Sequence, residues 1–408
     1  MNSLLIIGHT FPEPTTTAAG TRMAQLIEMF QKEGYAITFA STASISEKSL
    51  DLAALGVVLE RLILNDPSFD VFIKTLRPTL VLFDRFITEE QFGWRVAECC
   101  PEAFRILDTE DLHFLRNARQ KALKETGDAK NAGLFTDASK REVASILRCD
   151  LSLIISEFEM ELLKKTFSIA EGIIYYLPFM TTEIPKPDLF PSFEQRAHFM
   201  TIGNLLHAPN VDSVLYLKKE IWPLIKKQLP NANMYVYGNY APQHIKELHN
   251  EKEGFFIKGW IFSVKDAMES AKVCLAPIRF GAGLKGKLLD AMLYGTPAVT
   301  TTIGAEAMYG RFHDAGGVAD SPEAFAALSI GLYSDKIKWQ QNTQKGFAII
   351  KERYTGTSIA RVFMARLDDL KTNLTLHRQK HFMGQIIQHQ GLQATKYLSK
   401  WIEEKNKK

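Results

Sequence analysis

Glycines, lysines and one carboxylate lie close together in the segment PIRFGAGLKGKLLDAMLYGTP, residues 277–297. A helix that begins near Gly283 places Gly283, Lys287 and Asp290 on one side of its axis and the apolar residues on an adjacent side. Free backbone N–H groups and the positive dipole end at such a helix start favour an anion. The segment therefore predicts a phosphate site, with Asp290 roughly 10 Å along the axis, in reach of a ribose diol.

The same glycines also suit a tight connection between a helix and a strand, in which the lysines are solvated. Spacing alone does not decide whether Lys285 or Lys287 would neutralise a phosphate, because their directions differ. Gly295 and Pro297 are typical of a helix end. The segment thus leaves a phosphate site and a packing role open.

A second group of reactive side chains lies in RILDTEDLHFLRNAR, residues 105–119. Glu110, Asp111 and His113 are groups that can act as general acids or bases. We favour Asp111 and His113 as catalytic residues, with Glu110 third. The alternative is a helix N-terminus in which Asp108 or Thr109 is the cap and the acids occupy the first turn.

Size and composition limit the function classes. A chain of 408 residues is too long for one ordinary core, so two domains of about 200 residues are expected. The net charge of +3 and the lack of a long basic block give little support to nucleic-acid binding. The four cysteines have no metal-ligand spacing, which favours a reducing compartment. The opening MNSLLIIGHTFPEP predicts neither a signal peptide nor a transmembrane helix, so we expect a cytoplasmic protein.

Short apolar runs alternate with helical patterns in both halves of the chain. SLLIIGH, TLVLFDRF, FRILDTED and LSLIISEF lie in the first half, and HFMTIGNL, ANMYVYGN, GFFIKGW and AKVCLAPI in the second. This alternation favours parallel sheets covered by helices. Four prolines within residues 177–195 mark a domain boundary.

These patterns divide the chain into four parts. We predict a first domain at residues 1–183, a linker at 184–195, a second domain at 196–370, and a basic helical tail at 371–408 that packs back on the first domain. Two doubly wound domains place the carboxyl ends of both sheets at a shared cleft, where open α/β sheets bind ligands.

The segment APIRFGAGLKGKLLDAMLYGTPAVTTTIGAEAM resembles the nucleotide-binding segment of GT-B glycosyltransferases of the group 1 type, family 4-like. FMTIGNLLHAPNVDSVLYL, MYVYGN and FIKGW continue the resemblance, and FPEPTTTAAGTRMAQLIEMF resembles the family's glycine loop after the first strand. The resemblance implies an α/β chain with the GT-B fold, two doubly wound Rossmann-like domains facing an interdomain cleft. It implies a hexosyltransferase that moves a sugar from a nucleoside-diphosphate sugar to an acceptor, with retention and without an essential metal or other cofactor.

The resemblance also assigns the donor site by position. Gly283, Leu284 and Lys285 would meet the diphosphate and Asp290 the ribose. The turn ending in Trp260 would meet the base, and Glu306 would lie near the diphosphate or the sugar.

In the first glycine loop, Gly20 and Arg22 would approach the phosphate across the cleft. The alternative is a flexible loop with a solvated Arg22.

Two positions depart from the family pattern. Ala282 stands where the first of two glutamates is usual, with Asp290 at the second position, and Asn204 replaces an arginine. Arg279, Lys285 or Lys287 would then supply the missing positive charge. The donor sugar and base stay open.

By the same resemblance, Asp111, His113 and Glu110 lie at a strand end that faces the cleft. They would orient the acceptor hydroxyl or stabilise an oxocarbenium-like donor. The neighbouring Asp84 and Arg85 would line the acceptor side or form an ion pair.

The acceptor would be a glycan, a lipid-linked saccharide or a protein, and the basic tail permits peripheral contact with the inner membrane surface. Two alternatives keep the fold: an epimerase acting on the nucleotide sugar, and a non-catalytic sugar-nucleotide-binding protein, which the alanine at position 282 keeps open.

Overall fold

The computed structural model describes residues 2–182, 185–312 and 315–407. Residues 183 and 184, where the predicted first domain ends and the predicted linker begins, lie outside the described residues. The apolar runs of the sequence form strands of two separate parallel sheets. The α/β fold class is therefore confirmed.

The first sheet has the strand order β3-β2-β1-β4-β5-β6-β7. Its strands are β1 (Ser3–Gly8), β2 (Ala36–Ser41), β3 (Val58–Arg61), β4 (Leu80–Asp84), β5 (Phe104–Asp108), β6 (Leu151–Ile154) and β7 (Ile174–Tyr176). Every residue of β4 and β5 is buried, as expected for central strands of a sheet that helices cover on both faces.

The helices of this half follow their strands in alternation. They are α1 (Ala18–Lys32), α2 (Ser68–Leu76), α3 (Arg85–Cys99), α4 (His113–Thr126), α5 (Asp137–Arg148) and α6 (Glu157–Phe167).

The second sheet has the order β10-β9-β8-β11-β12-β13. Its strands are β8 (Ala197–Ile202), β9 (Met234–Tyr237), β10 (Phe255–Gly259), β11 (Ala271–Ala276), β12 (Ala298–Thr300) and β13 (Gly317–Val318). In both sheets the strand order reverses beside the first strand, the place where doubly wound sheets open a crevice for a ligand.

The remaining helices cover the second sheet and then leave it. They are α7 (Ala208–Tyr216), α8 (Trp222–Gln228), α9 (Gln243–Lys246), α10 (Val264–Ser270), α11 (Gly286–Leu293), α12 (Thr302–Ala305), α13 (Pro322–Ser334), α14 (Lys336–Arg353), α15 (Gly356–Thr372), α16 (Leu374–Lys380) and α17 (Phe382–Asn406).

Helix α15 packs against the first sheet. Phe363 and Leu367 are buried in one apolar core with Leu4 and Ile6 of β1. The chain crosses between the halves where Thr181 bridges Thr355. The predicted second-domain end, residue 370, lies within this helix, so the return to the first sheet begins earlier.

The tail helices continue along the first half. In α16, Arg378 forms an ion pair with buried Asp150, with a nitrogen–oxygen distance of 2.7 Å. In α17, Glu403 binds buried Arg95 of α3. None of the described helices is long and apolar enough to cross a membrane.

Candidate active site in the interdomain cleft

The carboxyl ends of the two sheets enclose a cavity of about 470 Å³. Its walls come from both halves of the chain: the loop before α1 and the β5–α4 connection on one side, and the start of α11 on the other. Loops at strand ends commonly carry binding residues on a rigid sheet. A cavity therefore lies between the two halves of the chain, where the sequence predicts the site.

Helix α1 starts at this cavity. Thr17 is its N-cap, and the Thr17 Oγ1 accepts a hydrogen bond of 2.9 Å from the backbone N–H of Gly20. The N–H groups of Ala18 and Ala19 have no protein partner among the residues that the structure describes. Both residues line the cavity, so the positive end of the α1 dipole faces it.

Helix α11 starts at the same place from the other side. Its first residue, Gly286, is so close to α1 that a Cβ added there would lie 3.0 Å from the Ala18 Cβ. Within the described ranges the N–H groups of Gly286 and Lys287 also lack a protein partner. Two helix starts with free donors therefore meet across the cleft, which favours an anion with more than one phosphate group.

The predicted helix start near Gly283 is wrong, because Gly283 has a left-handed φ of 63°. Its N–H donates to Glu159 Oε1 at 2.9 Å. The backbone N–H of Lys285 donates to the Met308 sulfur. The Lys285 ammonium donates to the Gly283 carbonyl at 2.6 Å. The donors nearest the cavity thus begin at Gly286. Leu284 is buried and lines the wall.

Lys287 and Asp290 lie on the cavity wall, as the spacing predicted. The Lys287 ammonium donates to Asn210 Oδ1 at 2.9 Å, and burial lowers the pKa of Lys287 to about 8. Burial raises the pKa of Asp290 to about 7. Burial therefore favours the neutral carboxyl of Asp290 over its carboxylate.

The predictions for Gly20 and Arg22 as donor contacts are contradicted. A Cβ on Gly20 would lie 2.4 Å from the Glu13 backbone, so this glycine lets the loop pack on α1. Arg22 is fully buried; its guanidinium donates to Asp108 at 2.8 Å and to the Leu177 carbonyl at 2.7 Å. The alternative, a solvated Arg22, is also wrong. The loop before α1 faces the cavity instead.

Arg279 and Glu306 also lie outside the cavity lining. The Arg279 guanidinium binds Asp212 at 2.9 Å and lies 4.5 Å from the Tyr216 ring centroid. Both carboxylate oxygens of Glu306 accept hydrogen bonds of 2.7 Å from Arg119 of α4. Each charge is neutralised by a fixed partner, which the sequence spacing could not show.

Trp260 lines the outer part of the cavity and is partly exposed. The Lys48 ammonium, from the first half, lies 3.5 Å from the centroid of its ring. This cation–π contact joins the two halves of the chain.

Asp111 and His113 both line the cavity. His113 Nε2 lies 3.5 Å from Asp111 Oδ1, and Arg116 binds the other carboxylate oxygen. Burial alone would raise the pKa of Asp111, but Arg116 and His113 outweigh it and hold that pKa well below its ordinary value. Burial lowers the pKa of His113 to about 4. At neutral pH the pair is thus a carboxylate beside a neutral imidazole.

The alternative explanation of this segment, capping by Asp108 or Thr109, is not what the structure shows. Helix α4 begins at His113, and the N–H groups of His113 and Phe114 donate to the Glu142 carboxylate at 3.1 and 2.8 Å. The cap comes from α5. Asp111 is therefore left for the cavity.

Glu110 and Arg85 are strained residues at the ends of neighbouring strands. Their φ angles are 61° and 70°, in the left-handed region that non-glycine residues avoid. Glu110 Oε1 is buried without a partner among the described residues, and burial followed by Asp108 raises the pKa of Glu110 well above its ordinary value. Such strain clusters at functional sites.

Arg85 lines the cavity, and its Nε lies 3.7 Å from Asp84 Oδ1. Arg85 therefore forms the predicted ion pair with Asp84 and also lines the cleft. His207, the N-cap residue of α7, and the threonines at positions 15–17 also line the cavity.

Residues 196–335 match the family model described as "Glycosyl transferases group 1". No curated protein sequence matches the chain. Among solved structures, sucrose-phosphate synthase from Thermosynechococcus elongatus has a TM-score of 0.69 at 14% identity, over 91% of this chain and 99% of that one.

HepE of Anabaena, in complex with UDP and glucose, has a TM-score of 0.65 at 13% identity, over 90% of this chain and 100% of that one. A TarM variant of S. aureus, in complex with UDP, has a TM-score of 0.57 at 14% identity; that match covers 73% of this chain but only 57% of TarM. At these identities the likeness establishes the fold. Residues 196–335 are thus similar to the group 1 glycosyl transferases, and the whole chain has the GT-B glycosyltransferase fold.

Proposed function

We propose that the protein is a glycosyltransferase that moves a hexose from a nucleoside-diphosphate sugar to an acceptor hydroxyl, with retention and without an essential metal. One observation carries the proposal: the free N–H groups at the starts of α1 and α11 face one cavity, beside the carboxylate of Asp290. That arrangement suits a diphosphate joined to a ribose.

The donor would lie along α11. Its diphosphate would accept hydrogen bonds from Ala18 and Gly286, and Lys287 would balance part of its charge. The ribose hydroxyls would donate to Asp290, and the base would extend toward Trp260. Support for a uridine nucleotide comes from HepE, solved with UDP and glucose, and from the pneumococcal transferase GtfA, solved with UDP and GlcNAc.

The sugar would lie against the first half of the chain. As the bond from the anomeric carbon to the diphosphate breaks, the electron pair leaves with the diphosphate, whose charge the helix starts stabilise. Ionised Asp111 would stabilise the positive charge that develops on the sugar ring. Neutral His113 would orient the acceptor hydroxyl, and as the acceptor oxygen bonds to the anomeric carbon its proton would pass to the departing diphosphate, a stronger base than an imidazole whose pKa is about 4.

The acceptor would be a glycan, a lipid-linked saccharide or a protein. Support for a saccharide acceptor comes from WaaG, a structural neighbour involved in lipopolysaccharide biosynthesis, with a TM-score of 0.62 and 11% identity.

Incubation with a panel of nucleotide sugars tests the proposal. We expect one donor to raise the melting temperature and to release nucleoside diphosphate slowly when no acceptor is present. Conversion to an isomeric nucleotide sugar would identify an epimerase instead. Tight binding without turnover would identify a binding protein.

A further inference from the structure

The guanidinium of Arg85 lines the cavity with its hydrogen-bond donors unused. Its side chain is only 18% exposed, and its Nε lies 3.7 Å from Asp84 Oδ1, beyond hydrogen-bond distance. No residue in the described part of the chain accepts a hydrogen bond from this guanidinium. Arg116, the other arginine on the cavity wall, binds Asp111 instead. The donors of Arg85 are therefore available to a ligand.

Glu110 is a second unpartnered group on the same wall. It is 8% exposed, lines the cavity, and its Oε1 is buried with no hydrogen-bond partner among the described residues. Asp84 and Asp108 pair across β4 and β5, so Arg85 and Glu110 follow neighbouring strand ends. Burial, and then the charge of Asp108, raise the pKa of Glu110 well above its ordinary value. Glu110 is therefore a neutral carboxyl whose O–H can donate.

The other carboxylates beside Arg85 are already bound. Asp108 accepts hydrogen bonds from Arg22, and Asp111 binds Arg116. Asp84 is the nearest counter-charge, but its Oδ2 accepts from the backbone N–H of His9 and its Oδ1 accepts from no described residue. Arg85 is also the first residue of α3, whose positive dipole end adds to its charge. This corner of the cavity therefore favours an oxyanion.

We propose that Arg85 binds an oxyanion, a phosphate or a carboxylate, that one of the two sugar substrates carries. A guanidinium fits either group with two parallel hydrogen bonds, and the Glu110 O–H would donate a third. A neutral sugar hydroxyl would not balance the charge of a mostly buried cation. Because Glu110 adjoins Asp111, this oxyanion would lie beside the Asp111–His113 pair. The inference rests on the proposed sugar transfer and adds the chemical class of the substrate.

Calorimetry on the full chain tests this proposal with two pairs of probes. Glucose 6-phosphate against glucose tests an anionic acceptor, and UDP-glucuronate against UDP-glucose tests an anionic donor sugar. In one pair we expect the anionic probe to bind at least ~10-fold more tightly than its neutral counterpart. That pair identifies the substrate that carries the oxyanion.

Substitution of Arg85 locates the binding. Arg85→Met should abolish the preference for the anionic probe, and Arg85→Lys should keep part of it, because an ammonium has the charge without the planar fork. Since Arg85→Met leaves buried Asp84 without a cation, Asp84→Asn/Arg85→Met is a second variant that removes both charges; it should also lose the preference. The control Arg361→Met, at an exposed position of α15, should keep it.

Equal affinities within both pairs of probes would overturn the proposal. A preference that survives both methionine variants at position 85 would overturn it too, since the anion would then bind elsewhere, as at the starts of α1 and α11. The proposed function has a separate readout, the release of nucleoside diphosphate. A preference that depends on Arg85, without release from any donor, would contradict the transferase but not the oxyanion site.

Discussion

Arg119 of α4 and Glu306, from the other half of the chain, form a bidentate ion pair across the cleft. Both nitrogen–oxygen distances are 2.7 Å. The Arg119 guanidinium also donates to the Gly281 carbonyl at 2.9 Å. One side chain of the first half thus holds the loop that leads into α11. The geometry of the proposed phosphate site depends on this contact.

Arg119→Ala should cost about 3 kcal/mol of unfolding free energy, because it leaves the mostly buried Glu306 unpaired. The double variant Arg119→Ala/Glu306→Ala should lose less than the sum of the single losses. Chemical denaturation measures both. The exposed pair Arg311–Glu352 is the control, and Arg311→Ala should change stability by less than about 0.5 kcal/mol. Additive losses at Arg119 and Glu306 would show that the pair does not couple the two halves.

Gly283→Ala should impair turnover as well as stability. An added Cβ would lie 2.8 Å from the Asp111 Cβ, at a residue with a left-handed φ. The control Gly34→Ala has the same kind of φ, 75°, but nothing within 4 Å. Gly34→Ala should cost about 1 kcal/mol and leave turnover unchanged. If Gly283→Ala matched that control in both measurements, the loop would not depend on close packing against Asp111.

Nucleotide binding should depend on pH through Asp290. Burial raises the pKa of Asp290 to about 7, and the ribose hydroxyls are expected to donate to its ionised form. Affinity should therefore fall as the pH is lowered from about 8 to 6, and this dependence should vanish in Asp290→Asn. At pH 8 the variant should bind at least ~10-fold more weakly by calorimetry.

The same substitution gives an independent check on burial. The folded-state pKa of Asp290 lies above the ordinary value of 3.8, so ionisation of this group costs stability as the pH rises from about 4 through about 7. The free energy of unfolding of Asp290→Asn minus that of the parent chain should therefore be larger at pH 8 than at pH 4. Asp266→Asn, at an exposed position of α10, is the control and should change neither property. Unchanged nucleotide affinity in Asp290→Asn would place the ribose elsewhere.

Asp111→Asn and His113→Ala should each lower turnover by about 10²-fold or more, with nucleotide affinity unchanged, because both groups would act on the sugar and acceptor. Since the pKa of His113 is about 4, its protonation should not reduce turnover between pH 8 and 5. Steady-state kinetics measures the turnover, and a nucleotide-binding measurement gives the affinity, so the two together separate an effect on catalysis from an effect on binding. Asp137→Asn, at an exposed residue of α5, is the control. If both variants kept full turnover, neither Asp111 nor His113 would take part in the reaction.

Chelation should have little effect on turnover. Backbone N–H groups and Lys287 would balance the diphosphate charge, so an assay with and without EDTA should give equal rates. A loss of rate that Mg²⁺ or Mn²⁺ restores would contradict this part of the account.

Much of the fold follows from local patterns in the sequence. Apolar runs such as residues 80–84 are strands because both faces of a parallel sheet are covered. The cleft positions of Lys287 and Asp290 also follow, because helical spacing places them on one side of α11. The same spacing predicts the start of α11 three residues too early, since Gly283 has a left-handed backbone and the helix begins at Gly286.

Ion partners from distant parts of the chain account for the other errors. Arg22 is bound by Asp108 and Glu306 by Arg119, so neither charge reaches the cavity. The cap of α4 likewise comes from Glu142 of another helix. Spacing along one segment cannot reveal which remote charge will neutralise it. The strain at Arg85 and Glu110 is also a property of the folded backbone.

We propose that the cleft transfers a sugar from a nucleoside-diphosphate donor. Phosphorus NMR of the protein with a panel of nucleotide sugars, UDP-hexoses first, tests it most directly. The account predicts slow release of nucleoside diphosphate from one donor, faster when an acceptor saccharide is added, and its loss in Asp111→Asn. No release from any donor, or conversion to an isomeric nucleotide sugar, would contradict it.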